Sequence, residues 1–239
     1  MKKYVAPLFL AVLMISMLFL CSFSSQRNAE KKVGVTRIEF VSGSNEFIPY
    51  TAIEKLLIQK PVAGVYQTKS MINLQRLEQS VLQNPYVEKA TVFLTLEGVL
   101  KAHVKQREPV VRLQTKEGSY YLDKQGVRVP LSKLYTPRVL LLTGANEAED
   151  VAEIMPLILA ILSDDFLKKE VVGVHKSADN TFQLSVRSGT YKIAFGSLKN
   201  KENKFKKIKA FYNTTFLDKT IQQYQTINVT YRNQVVCTK

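Results

Sequence analysis

Apolar and polar positions change their period several times along this chain, and each change marks a different element. Residues 4–23, opening on Tyr4 and closing on Phe23, carry no charge, and only Met1, Lys2 and Lys3 precede them. About 20 such residues make a helix long enough to cross a hydrocarbon core of about 30 Å. The stretch predicts one transmembrane helix, with residues 1–3 as a short start. From 24 to 34 the chain is polar and charged with no apolar period, which predicts a linker.

Period two then sets in. Between Val35 and Val41, Ile38 and Phe40 alternate with Arg37 and Glu39, as in a half-buried strand, and Ser42-Gly43-Ser44-Asn45 stops it. Pro49 suits a first helical turn, and Ile53, Leu56 and Leu57 form a stripe at three- and four-residue spacing. Lys60-Pro61-Val62-Ala63-Gly64 breaks that helix. Ser70 is placed to cap a second, whose Leu74, Leu77 and Val81 share a face until Asn84-Pro85. Two alternating strands come next, one carrying Ala90, Val92, Leu94 and Leu96, the other Leu100, Ala102 and Val104, with Glu97-Gly98 as the turn. The order strand, helix, helix, strand, strand predicts a small α+β module over 35–107, its helices on one face of a sheet.

The pattern changes at Arg107-Glu108-Pro109, and a second domain is expected over 108–239. Short strands at 110–113, 119–122 and 127–131 are separated by Lys116-Glu117-Gly118 and Asp123-Lys124-Gln125-Gly126, both suited to turns. An apolar strand at 139–143 leads to a helix capped by Asn146, with Val151, Ile154, Ile158 and Ile161 on one face and a bend at Pro156. Strands at 171–175, 181–187 and 190–195, a lysine-rich helix and a strand at 226–231 complete a β-rich domain covered by helices.

The first stretch has a second reading, a secretory signal removed after Ser24, since Ser22-Phe23-Ser24 loosely fits the small-x-small cleavage pattern. Cys21 comes after Leu20, where lipoprotein processing wants a small residue. The apolar run exceeds the roughly 7 to 15 residues of a signal core, which favours the anchor. Charge is nearly balanced across it, with Lys2 and Lys3 on one side and Arg27, Lys31 and Lys32 on the other. The length of chain beyond Phe23 favours a cytoplasmic start and an exported body, because long domains translocate largely regardless of charge.

Composition is that of folded protein: 46% hydrophobic residues, 10 glycines and 8 prolines exclude a disordered tail or a proline-rich stalk. The two cysteines, Cys21 and Cys237, lie in the span and near the C-terminus, so stability is expected from packing rather than from a bridge. A net charge of +14 raises nucleic acid or anionic lipid as partners. The densest cluster, Lys199, Lys201, Lys204, Lys206, Lys207 and Lys209, shares its segment with Phe205, Ile208, Tyr212 and Phe216 at helical spacing. That spacing predicts buried aromatics and lysines turned to water, whereas binding of single-stranded nucleic acid needs exposed aromatics for stacking. No nucleic acid is expected; lipid headgroups or an acidic partner stay open.

Enzymatic chemistry needs a convergent set of reactive residues, and the common ones are missing. His103 and His175 fall in predicted strands without metal-ligand spacing, and no nucleophile elbow, P-loop, C-x-x-C or H-E-x-x-H occurs. Asp164-Asp165 reads as a solvated turn. No catalytic residue, metal, cofactor or small-molecule substrate is expected. Asn213-Thr214-Thr215 and Asn228-Val229-Thr230 match the glycan acceptor triplet, the second inside a predicted strand. Binding is the class that remains. In the closing strand Ile227, Val229 and Tyr231 alternate with Asn228, Thr230 and Arg232. Either it is an edge strand that accepts a strand from another chain, or it is internal with both edges filled.

Four motifs, in order, resemble the FtsQ/DivIB family of bacterial division proteins. Ile38-Glu39-Phe40-Val41-Ser42-Gly43-Ser44 is similar to the opening strand and turn of that family's POTRA module, and Asn84-Pro85-Tyr86-Val87-Glu88-Lys89-Ala90-Thr91-Val92 to its second strand. Lys105-Gln106-Arg107-Glu108-Pro109-Val110 is similar to the exit into the family's β domain, and Tyr121-Leu122-Asp123-Lys124-Gln125-Gly126 to the hairpin after it. Gln106 stands where the family often has Glu, and the basic residue expected near Thr230 is missing.

The resemblance implies a non-catalytic divisome scaffold for septum formation, anchored once in the inner membrane with a periplasmic body. Its POTRA module would serve recruitment, and its β domain would bind FtsB/DivIC-type and FtsL-type partners. It also implies a partner strand at the last strands, with Val229, Tyr231 and Gln234 around that edge. Two alternatives are a POTRA-containing export or assembly factor and an exported soluble enzyme released by signal peptidase.

Overall fold

The computed structural model describes residues 5–33, 35–41, 46–57, 68–145, 148–215 and 220–239. Several expectations lie outside these residues: the start of the span at Tyr4, the Ser42-Gly43-Ser44-Asn45 stop, the Lys60 to Gly64 break, the Asn146 cap and Phe216. The chain is mixed α+β and divides into two compact units, Met1–Gln106 and Arg107–Lys239.

The first unit begins with α1, Val5–Ala29, of which Phe9–Ala29 is apolar and long enough to cross a membrane. The helix continues through residues 24–29, where the sequence pattern predicts a linker. Ser, Gln, Arg and Ala continue a helix at little cost, and Arg27 in the last turn complements its dipole. Strand β1, Val35–Phe40, is followed by α2, Tyr50–Leu57, and α3, Leu74–Leu82. Ile53 and Leu57 are buried, while Leu56 faces out. The cap of α3 is Asn73 rather than Ser70. Its side chain accepts the Arg76 N–H at 2.9 Å, and Ser70 belongs to a preceding 3-10 turn, Lys69–Met71.

Strands β2, Val87–Leu94, and β3, Val99–Gln106, form an antiparallel pair, and β1 joins β3 in parallel, so the sheet order is β1-β3-β2. Along β3 burial alternates without a break: Leu100, Ala102 and Val104 point inward with Gln106. Gln106 is a polar member of this core because its carbonyl accepts the Phe47 N–H at 3.2 Å. Leu96, expected on the inner face of the second strand, is exposed in the turn.

The second unit is built on a sheet of nine strands among the described residues, in the order β12-β11-β10-β9-β8-β7-β4-β5-β6. These are β4 Pro109–Gln114, β5 Ser119–Asp123, β6 Arg128–Val129, β7 Leu140–Thr143, β8 Val171–Lys176, β9 Phe182–Val186, β10 Lys192–Gly196, β11 Thr226–Asn228 and β12 Val236–Thr238. Strands β4, β7 and β8 run parallel, as do β10 and β11. Leu140 and Leu142 enter the core, whereas Leu141 between them is 40% exposed on the opposite face.

Three helices supply the rest of that core. Helix α4, Ala148–Ser163, contributes Ile154, Leu157, Ile158 and Ile161; α5, Asp165–Glu170, contributes Leu167; α6, Lys201–Thr215, contributes Phe205, Ile208 and Tyr212. Pro156, where a bend is expected, sits exposed within a helix that continues to Ser163. Asp164, expected in a solvated turn, instead caps α5 by accepting the Phe166 and Leu167 N–H groups, each at 3.1 Å.

Candidate partner-binding site

The terminal strands are decided by one short side chain. The pattern predicts a strand over 226–231, yet β11 stops at Asn228. The Asn228 Oδ1 accepts the Thr230 N–H at 2.9 Å and the Thr230 hydroxyl at 2.7 Å. This local turn competes with ladder pairing and bends the chain away. It also occupies the side chain of the second glycan triplet, while Asn213 is exposed on α6.

Beyond the turn the chain reverses and returns as β12, which pairs antiparallel with β11 through Ile227 and Cys237. Both edges of β11 are therefore filled, by β10 on one side and β12 on the other. The sheet ends on Val236–Thr238, three residues for which the sequence pattern predicts no element.

The three residues expected around an edge occupy different settings. Val229 is fully buried, packed in the core, and its N–H donates to the Ala194 carbonyl at 3.1 Å. Tyr231 is 49% exposed, and Gln234 is exposed in the segment that leads into β12. On β12, Val236 and Thr238 are exposed while Cys237 is half-buried against the core. Burial pushes the Cys237 thiol up, which keeps it protonated.

The lysine cluster does not face water as a whole. Lys199 and Lys206 do, but Lys204 is only 7% exposed and donates to the Ser197 carbonyl at 2.6 Å, with its ammonium 5.0 Å from the Phe195 ring centre. Burial, then the nearby Lys207 charge, lowers the Lys204 pKa. Lys207 donates to the Val229 carbonyl at 2.7 Å and also to that of Tyr231, and Lys209 pairs with Asp164. Long stems let these ammonium groups reach backbone oxygens that a helical wheel cannot show.

The two histidines belong to different units, and each has a partner of its own. His103 pairs with Glu39 at 3.1 Å and His175 meets the Thr143 hydroxyl at 2.8 Å. Among the described residues no group of three or more His, Cys, Asp or Glu could hold a metal ion. One polar network has no signature in the sequence because its members are far apart: Glu170 accepts the Ser188 N–H at 3.1 Å and the Tyr212 hydroxyl at 3.0 Å, and Tyr191 donates to Tyr212 at 2.7 Å. Burial raises the pKa of both tyrosines, so they stay neutral and tie α6 to the sheet.

Two family models match the chain. One, described as FtsQ/DivIB, C-terminal related, covers residues 108–238, and the other, a POTRA-like domain, covers residues 41–105. The cell division protein FtsQ of Corynebacterium glutamicum is 22% identical over 149 residues, an alignment that takes in 60% of this chain and 66% of the relative's length.

Proposed function

We infer the function of this chain from the premise that it belongs to the FtsQ/DivIB family of cell division proteins. It acts in septum formation as a non-catalytic scaffold. Helix α1 anchors it in the inner membrane, the short amino-terminal start lies in the cytoplasm and the body lies in the periplasm. Residues 35–107 serve recruitment. Residues 108–239 receive FtsB/DivIC-type and FtsL-type partners, one of which adds a strand to the sheet.

The observation that carries this reading is the place of β12 at the end of the sheet order, with β11 as its sole neighbour among the described residues. Its outer edge presents backbone donors and acceptors along the row that a further strand would fill. Tyr231 and Gln234 stand exposed next to that edge in sequence, while Val229 supports it from the core.

The test uses the full chain in lipid nanodiscs and the purified partner heterodimer from the same organism. Cys237→Pro removes the β12 backbone donor that points away from β11, and Tyr231→Ala removes the exposed ring. Each is expected to weaken binding about tenfold while the thermal midpoint stays within a few degrees. Unchanged affinity in both variants overturns the β12 reading.

A further inference from the structure

A second surface lies at the amino-terminal ends of three parallel strands and belongs wholly to the second unit. Strands β4, β7 and β8 run parallel and begin side by side at Pro109, Leu140 and Val171. Their amino-terminal ends line a groove of about 510 Å³. Its lining is apolar and partly exposed at Val139, Leu162 and Val172.

Basic groups surround this apolar lining: Lys124, Arg138, Lys168 and Arg187. The one carboxylate among the lining residues, Glu108, is taken up by Lys124 at 2.9 Å. Among the described residues none of the Arg138, Lys168 and Arg187 side chains is in an ion pair, and all three are exposed. Like charges gathered around a low-dielectric cleft repel one another and focus a positive potential into it, which raises the local concentration of anions.

We propose that this groove binds an acidic, partly apolar peptide segment of a partner protein. The guanidinium groups of Arg138 and Arg187 suit carboxylates, which they hold in paired hydrogen bonds. The apolar lining adds a demand that a free phosphate or a fully solvated anion does not meet, namely side chains of the Leu or Val kind between the carboxylates. Strands β9, β10 and β11 separate β8 from β12 in the sheet, so the groove is distinct from the terminal edge and stands independently of a partner strand at β12.

The probe is a dye-labelled synthetic peptide alternating Glu with Leu and Val, titrated against the full chain in nanodiscs of uncharged lipid and followed by anisotropy. R138E/R187E is compared with K199E/K206E, which changes net charge equally at exposed lysines outside the groove. The expected result is a loss of about tenfold with the first pair and less than about twofold with the second. A poly-Glu peptide of the same charge is expected to bind more weakly than the alternating one. Equal losses in the two pairs, no loss in R138E/R187E with its thermal midpoint intact, or no binding by the unaltered chain each overturn the proposal. Vesicles bearing anionic lipid provide the last arm: if they bind through Arg138 and Arg187 and the peptide does not, the occupant is a headgroup and the peptide assignment fails.

Discussion

The Lys207 ammonium lies 2.7 Å from the carbonyl oxygen of Val229 and donates to the carbonyl of Tyr231 as well, so α6 holds both ends of the turn that leads to β12. A charged donor to a backbone carbonyl is worth more than a neutral one.

Replacing this latch tests its weight. Lys207→Met keeps most of the stem and removes the donor, and it is expected to cost about 1 kcal/mol in urea denaturation. Faster amide exchange confined to residues 229–238 is the accompanying sign. Uniform exchange across the unit would show that the latch does not hold this segment.

Gly196 bears on the same turn. Its φ is +68°, and a Cβ there would stand 2.5 Å from the Thr230 Cγ2. Gly196→Ala is expected to destabilise the protein by about 2 kcal/mol through backbone strain and this clash. Thr230→Ser in the same chain removes the methyl but keeps the hydroxyl that binds Asn228, so it should return part of the loss. Equal thermal midpoints for the single and double variants would rule out the clash.

Val229 and Tyr231 should separate cleanly in a stability measurement. Val229 is fully buried, so Val229→Ala leaves a cavity and is expected to cost about 2 kcal/mol. Tyr231 is half exposed, and Tyr231→Ala is expected to stay within about 0.5 kcal/mol. A partner-binding defect in the first variant therefore reports folding, and one in the second reports contact.

Asp164 supplies a pH dependence. Its burial raises the carboxyl pKa, but the Lys209 ammonium and the Leu167 and Phe166 amides outweigh it, and the net shift is downward. A carboxyl with a lowered folded-state value contributes stability above its unfolded value of about 3.9 and loses it as pH falls through the lower folded value. Asp164→Asn retains a capping oxygen but cannot ionise. The urea midpoint of the unaltered protein should exceed that of the variant at neutral pH, and the gap should close in acid. A gap independent of pH would remove the ion pair from the explanation.

Much of the architecture was legible because it depends on local periods. The alternation in Val35–Phe40 and Val99–Gln106 and the stripe of Ile154, Ile158 and Ile161 each report a buried side that packing then uses. The end of α1 was not legible, since residues 24–29 have no apolar period while the backbone ladder simply continues. Nor was β12: a run as short as Val236–Thr238 has too few positions for a period to emerge.

The fates of Val229 and Lys207 mark the division most clearly. Periodicity alone established that Ile227 and Val229 share an inward side, because side chains alternate along an extended chain whatever lies beside it. Which strands flank them is a matter of distant pairing, and only the tertiary structure placed β10 and β12 there, making β11 internal and Val236–Thr238 the last strand in the sheet order among the described residues. A helical wheel likewise put Lys207 toward water, and only the folded chain brought the Val229 and Tyr231 carbonyls within reach of its ammonium. A pattern along one segment records which side avoids solvent, and it holds no record of the segment that will meet it.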